Sequence, residues 1–129
     1  MTTPTKQHFA HPERPARPGG LSSAIRCGQW VHVSGQGPLD ITTLEYVPGT
    51  IEEETLMTLR HIEKILQAAG AAKTDVVKCT CYLSDLADFP GFHRTFQEFF
   101  GDPLPCRTTV QALLLRGIRV EIDAVAFVA

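Results

Sequence analysis

Residues 120–128 alternate so that Val120, Ile122, Ala124, Ala126 and Val128 fall on one side of an extended strand, while Glu121, Asp123, Val125 and Phe127 fall on the other. Successive strand side chains point to opposite faces of a sheet. The segment therefore demands a sheet with one apolar face buried against another layer and a second face of mixed character. That second face also needs cover. A sheet surface packed against neighbouring subunits and lining a site between them would have this composition.

The rest of the chain supplies the layer for the apolar face. Thr50-Ile51-Glu52-Glu53 has the form of a capping box, with Thr50 as N-cap and Glu53 three residues on. Leu56, Leu59, Ile62, Ile65, Leu66 and Ala69 follow at helical spacing, and Gly70 closes the helix. Residues 76–83 have strand character. Residues 88–100 form a second helix whose apolar side is Phe89, Phe92, Phe96, Phe99 and Phe100, stopped by Gly101-Asp102-Pro103. Two more strands, 22–26 and 30–36, are joined through Cys27-Gly28-Gln29, and the final two, 106–114 and 119–127, turn at Arg116-Gly117. The order β-β-α-β-α-β-β predicts an α+β fold with both helices on one face of a single mixed β-sheet. One domain spans residues 21–129. Residues 1–20, rich in Pro, Gly and charge, are expected to be an irregular arm.

With 129 residues, 43% of them hydrophobic, the chain can build one core but cannot easily enclose a deep pocket, which again favours a site between subunits. The net charge of −2 and the lack of a basic stripe argue against nucleic acid as a partner. No apolar run approaches the roughly 18 residues of a membrane span, and the N-terminus has no hydrophobic signal core, so a cytoplasmic location and no membrane partner are expected. Cys79 and Cys81 share one face of a strand and, with Cys27 and Cys106, lack the spacing of a zinc site. Reduced, partly buried thiols are expected, and no metal.

Charged residues in strands need a partner or a ligand. Arg107, in Pro105-Cys106-Arg107-Thr108-Thr109-Val110, carries a guanidinium that can grip a carboxylate through two parallel hydrogen bonds. The bland alternative is an ion pair with Glu121 or Asp123 across adjacent strands. Glu121 could orient or deprotonate a water, or could merely neutralise Arg107 or Arg119. In Val33-Ser34-Gly35-Gln36, Gly35 at a strand end would let backbone approach a ligand closely, with Ser34 beside it; a plain bulge explains it equally. His93 on the second helix is a residue type that often titrates near neutrality, though a lone helical histidine is usually just solvated.

These segments together, from about Leu21 to Ala129, resemble the RidA/YjgF family of small trimeric imine and enamine deaminases. The resemblance implies a chorismate-mutase-like trimer, a substrate carboxylate on Arg107, a water-positioning role for Glu121 and a substrate contact from the backbone of Thr109. Many members carry a tyrosine where this chain has Leu21, and an asparagine near the neighbouring subunit's site where it has His93; these two positions, with Ser34 and Gly35, complete the expected binding set. The implied reaction is hydrolysis of small 2-imino or 2-enamino acids of the 2-aminoacrylate type to 2-oxo acids and ammonia. No cofactor is needed, because an imine is already electrophilic. The alternative is a non-catalytic trimer that binds small carboxylate metabolites as a sensor or regulator. Ribonuclease activity, attached to some relatives, fits the acidic balance poorly.

Overall fold

The computed structural model describes residues 5–14 and 20–129. Its strands are β1 (Lys6–Phe9), β2 (Ala24–Cys27), β3 (Trp30–Gln36), β4 (Val76–Leu83), β5 (Cys106–Gln111) and β6 (Val120–Phe127); its helices are α1 (Ile51–Ala68) and α2 (Phe89–Phe100). The strands form one mixed sheet in the order β1-β2-β3-β6-β4-β5. Among the described strands only the β4/β5 pair is parallel.

Val120, Ile122, Ala124 and Ala126 of β6 are buried, together with Cys79, Cys81 and Leu83 of β4, Leu59, Ile62, Ile65 and Leu66 of α1, and Phe92 and Phe96 of α2. The helices thus cover the face that the alternation marked as apolar. Thr50 caps α1 as expected: its hydroxyl accepts from the Glu53 N–H at 3.1 Å, and the Glu53 carboxylate accepts from the Thr50 N–H at 2.9 Å. The apolar stripe of α1 is less regular than its spacing suggests. Leu56 is half-buried, while Glu54, Thr55 and Thr58 are buried. Glu54 accepts from Tyr46 Oη at 2.9 Å and from Arg119 Nε at 3.0 Å, tying the start of α1 to the entry of β6.

Three features depart from the expectation. The arm is not irregular throughout, because Lys6–Phe9 pairs antiparallel with β2. That pairing satisfies backbone groups which would otherwise leave β2 as an open edge. His11, 1% exposed, then anchors the segment. It accepts at Nδ1 from the Glu13 N–H at 3.1 Å, so its proton sits on Nε2, 3.1 Å from His61 Nδ1 on α1, and His61 Nε2 donates to the Leu39 carbonyl at 2.8 Å. Second, β5 ends at Gln111 rather than near residue 114, because the strand it pairs with, β4, ends at Leu83; the Ala112 N–H still donates to the Leu83 carbonyl. Third, β5 and β6 are not a hairpin. The chain turns at Arg116 and Gly117, yet β4 lies between the two strands.

Candidate active site

β4 fixes where the two charged strand residues go. Residues paired across neighbouring strands point to the same face. Cys79 pairs with Arg107 on one side and with Ala124 on the other, and Cys81 with Thr109 and Ile122. Arg107 and Thr109 therefore project to the helix-covered face. Glu121 pairs with Tyr82, and Asp123 with Thr80, on the open face. Within one chain the sheet separates Arg107 from Glu121. The ion pair across adjacent strands considered for them does not form, since they are neither on adjacent strands nor on one face.

Arg107, half-buried, lies against α2. Its Nη1 donates to His93 Nδ1 at 2.9 Å, and its guanidinium carbon stands 4.8 Å from the ring centre of Phe96 and 5.4 Å from those of Phe89 and Phe92. His93 stacks on Phe89, the rings 5.3 Å apart and 8° from parallel. Aromatic faces attract a guanidinium without neutralising it, and among the described residues Arg107 makes no ion pair. The side-chain oxygen of Thr109 is buried without a hydrogen-bond partner among the described residues. The phenylalanines of α2, read from the sequence as core, thus have a second task. The signal was present: aromatics at 89, 92 and 96 with a histidine at 93 on one helix side.

Glu121 occupies the other setting. The register of β3 against β6 slips between Val33 and Gln36, so Ser34 and Gly35 form a bulge opposite the β6 segment that carries Glu121. A Cβ on Gly35 would stand 2.6 Å from Glu121 Oε2, a separation that side chains do not tolerate. The bulge reading of Gly35 thus holds, and the close approach that its missing Cβ permits is to the Glu121 carboxylate. Glu121 is half-buried, and burial first, then the neighbouring Asp123 carboxylate, raises its proton affinity above that of an ordinary glutamate. It lines a cleft of about 270 Å³ with Leu21, Gly35, Gln36, Leu39 and Leu115. Leu21 is 87% exposed there, an apolar side chain where a hydrogen-bonding group was the family expectation. Ser34 is turned aside: its hydroxyl donates to the Ser22 carbonyl at 2.7 Å and it lines a separate hollow with Ser22, Ile25 and His32. Arg119, another candidate partner for Glu121, bonds Glu54 instead and lies 3.6 Å from Asp88.

The expected site residues thus divide into two groups. Arg107, Thr109 and His93 gather on the helix side; Glu121, Gly35 and Leu21 gather at the open face, with Ser34 nearby. The cysteines contribute to neither group as nucleophiles. Cys79 and Cys81 are buried core thiols, and burial pushes Cys79 up to about 12; Cys27 and Cys106 are exposed, unlike the partly buried state expected of them. Among the described residues no cluster of three His, Cys, Asp or Glu side chains is arranged to hold a metal, and no helix is long and apolar enough to cross a membrane.

A family model described as endoribonuclease L-PSP matches residues 5–128. A RutC family protein of Pyrococcus abyssi is 40% identical over 110 residues, covering 84% of this chain and 87% of that protein. A mouse protein named 2-iminobutanoate/2-iminopropanoate deaminase is 35% identical over 127 residues, covering 98% of this chain and 94% of its own. Among solved structures, Escherichia coli TdcF with bound serine superimposes with a TM-score of 0.86 at 27% identity, covering 95% of this chain and 99% of that one.

Proposed function

Since the chain belongs to the RidA/YjgF family, we propose that it hydrolyses small 2-imino and 2-enamino acids to 2-oxo acids and ammonia, at sites built where copies of the chain meet in a homotrimer. The observation that carries this reading is the pairing of an unneutralised guanidinium on one face of the sheet with a carboxylate of raised proton affinity on the other. A substrate touching both must lie between two copies, with Arg107 from one and Glu121 from the next. The deaminase name of the mouse relative and the serine bound to TdcF support a substrate the size of a small amino acid.

In this mechanism the substrate carboxylate takes the two-point grip of Arg107, and the Thr109 backbone orients the nitrogen. An enamine first gains a proton at carbon to become the imine. Glu121 draws a proton from a water as its oxygen bonds to the imine carbon. A carboxylate that holds its proton more tightly than usual is suited to pass that proton on to the amine. The hydroxyl proton of the resulting carbinolamine then passes through Glu121 to the nitrogen, the carbon–nitrogen bond breaks, ammonia leaves, and the hydroxyl oxygen remains as the carbonyl. Gly35 leaves Glu121 the room to stand over the cleft. No metal or organic cofactor enters this scheme.

Mixing two inactive variants tests both the chemistry and the assembly. Arg107→Lys and Glu121→Gln should each release little ammonia from freshly generated 2-iminopropionate. Refolded together, every mixed trimer regains one site with both native residues, so random mixing should restore roughly a quarter of the native activity. No restoration, or a monodisperse monomer in light scattering at micromolar concentration, would overturn the shared site. Tight binding of 2-oxobutanoate by the native protein without ammonia release would instead make it a carboxylate-metabolite sensor.

A further inference from the structure

His93 touches the guanidinium, not the open cleft around Glu121. All guanidinium nitrogens are donors, so the 2.9 Å contact from Arg107 Nη1 requires an unprotonated Nδ1 and places the imidazole proton on Nε2. The ring is itself fixed by its parallel stacking on Phe89. The rings of Phe89, Phe92 and Phe96 attract the cation but give it no directional bond. A guanidinium held by rings alone can turn in its plane. Two-point recognition of a carboxylate depends on that rotation being stopped.

We propose that His93 is a positioning residue: through Nδ1 it fixes the rotation of the Arg107 guanidinium, so that the remaining N–H edge is set for a carboxylate before any ligand arrives. This rests on the carboxylate-binding reading of Arg107 and gives the imidazole a role other than contact with the anion. It also predicts which side chain can replace it. The Oδ1 of asparagine lies as many bonds from Cα as His93 Nδ1 and is an acceptor. Phenylalanine retains the ring that stacks on Phe89 but offers no acceptor. Glutamine places its acceptor one bond too far.

Two measurements on the full-length protein test the proposal. Calorimetric affinity for 2-oxobutanoate should fall about tenfold in His93→Phe, as expected when a charged donor loses its orienting partner. His93→Asn should restore it to within about twofold of the native value, an acceptor at the same reach being all that is required, and His93→Gln should fall between. In the ligand-free protein, separate side-chain Nη signals of Arg107, identified by their absence in Arg107→Lys, should be visible both in the native protein and in His93→Asn. They should merge through free rotation in His93→Phe. Unaltered affinity and unaltered Nη signals in His93→Phe, or failure of His93→Asn to recover either, would overturn the proposal. If Arg107→Lys binds 2-oxobutanoate as well as the native protein, the carboxylate reading fails, and the ligand-free Nη signals still decide whether His93 sets the guanidinium.

Discussion

Arg107 and Glu121 are both ionisable residues in strands of the same sheet, yet their surroundings contrast. Arg107 has three aromatic rings beneath it and an acceptor at its side, supplied by a single helix of its own chain. Glu121 has a bulge beneath it, an exposed leucine nearby and a second carboxylate two residues on; no hydrogen bond among the described residues satisfies it. The first environment holds a charge in place without quenching it. The second makes charge harder to keep, which is useful for a group that must take up and release protons. Under the proposed function, a group that grips a ligand would profit from rigidity supplied within the chain, whereas one that transfers a proton could be left for a second copy to enclose.

The sharpest way to break this contrast is Glu121→Gln, which retains shape and loses the base. The turnover number should fall by about 10²- to 10⁴-fold, the usual contribution of a positioned acid or base, with 2-oxobutanoate affinity much less affected. Equal losses of affinity and thermal stability would show Glu121 to be structural.

Apart from both sites, the contact of the N-terminal segment with α1 should respond to acid. His11 is buried and neutral, lowered to about 4 by burial first and by His61 second. Lys64 and Arg14 act in the same direction and Glu13 opposes them; Asp40 faces His61 from the loop. An unfolded histidine titrates near 6.5, so the unfolded chain binds the extra proton between about pH 6.5 and 4. Stability should therefore fall as pH drops through that window, by at most about 3 kcal/mol, and level off below it. Urea unfolding at pH values near the two ends of that window measures the loss, and His11→Gln, whose amide can still donate to His61, should show a smaller one. Hydrogen exchange at the lower pH should quicken first around Leu39 and β1 and leave β5 and α2 protected.

Arg107→Lys keeps the charge and loses the planar grip. Catalytic efficiency should drop by an amount equivalent to about 1.5 to 3 kcal/mol, with unchanged folding. Retained efficiency would remove the grip from the scheme. The smallest effect is expected from Asp123→Asn, which removes the lesser of the two causes that raise Glu121. The acid limb of the pH–rate profile should move to lower pH while the maximal rate changes little. An unmoved limb would leave burial as the sole cause.

Much of the fold was legible in short-range pattern. The alternation of residues 120–128 identified the buried face, and Thr50 with Glu53 marked where α1 begins, because both signals act within a few residues. The pairing of β5 was not legible, since nothing between Gln111 and Val120 records that β4 will insert between the last two strands. For the same reason Arg107 and Glu121 could be picked out as unusual but not assigned to opposite faces; that depends on the register of each against Cys79 and Tyr82. β1 escaped notice because Lys6-Gln7-His8-Phe9 has no alternation and gains its partner only once β2 is in place. The burial of Glu54 has no local signal, since the groups that bond it are Tyr46 in the preceding loop and Arg119, 65 residues away.

Gly91 of α2 faces the first turn of α1: a Cβ there would meet Ile51 Cγ2 at 2.7 Å and collide with the Glu52 carboxylate. It is also two residues before His93. The same turn of α2 thus packs on the start of α1 and carries the imidazole that bonds Arg107. A side chain added at Gly91 needs the Ile51 and Glu52 side chains to give way, and any part of the strain taken up by α2 instead would shift His93 relative to Arg107 without altering either residue. Ligand affinity in such a chain would be tuned by the thickness of a helix contact, a dial that lies outside the set of residues touching the ligand.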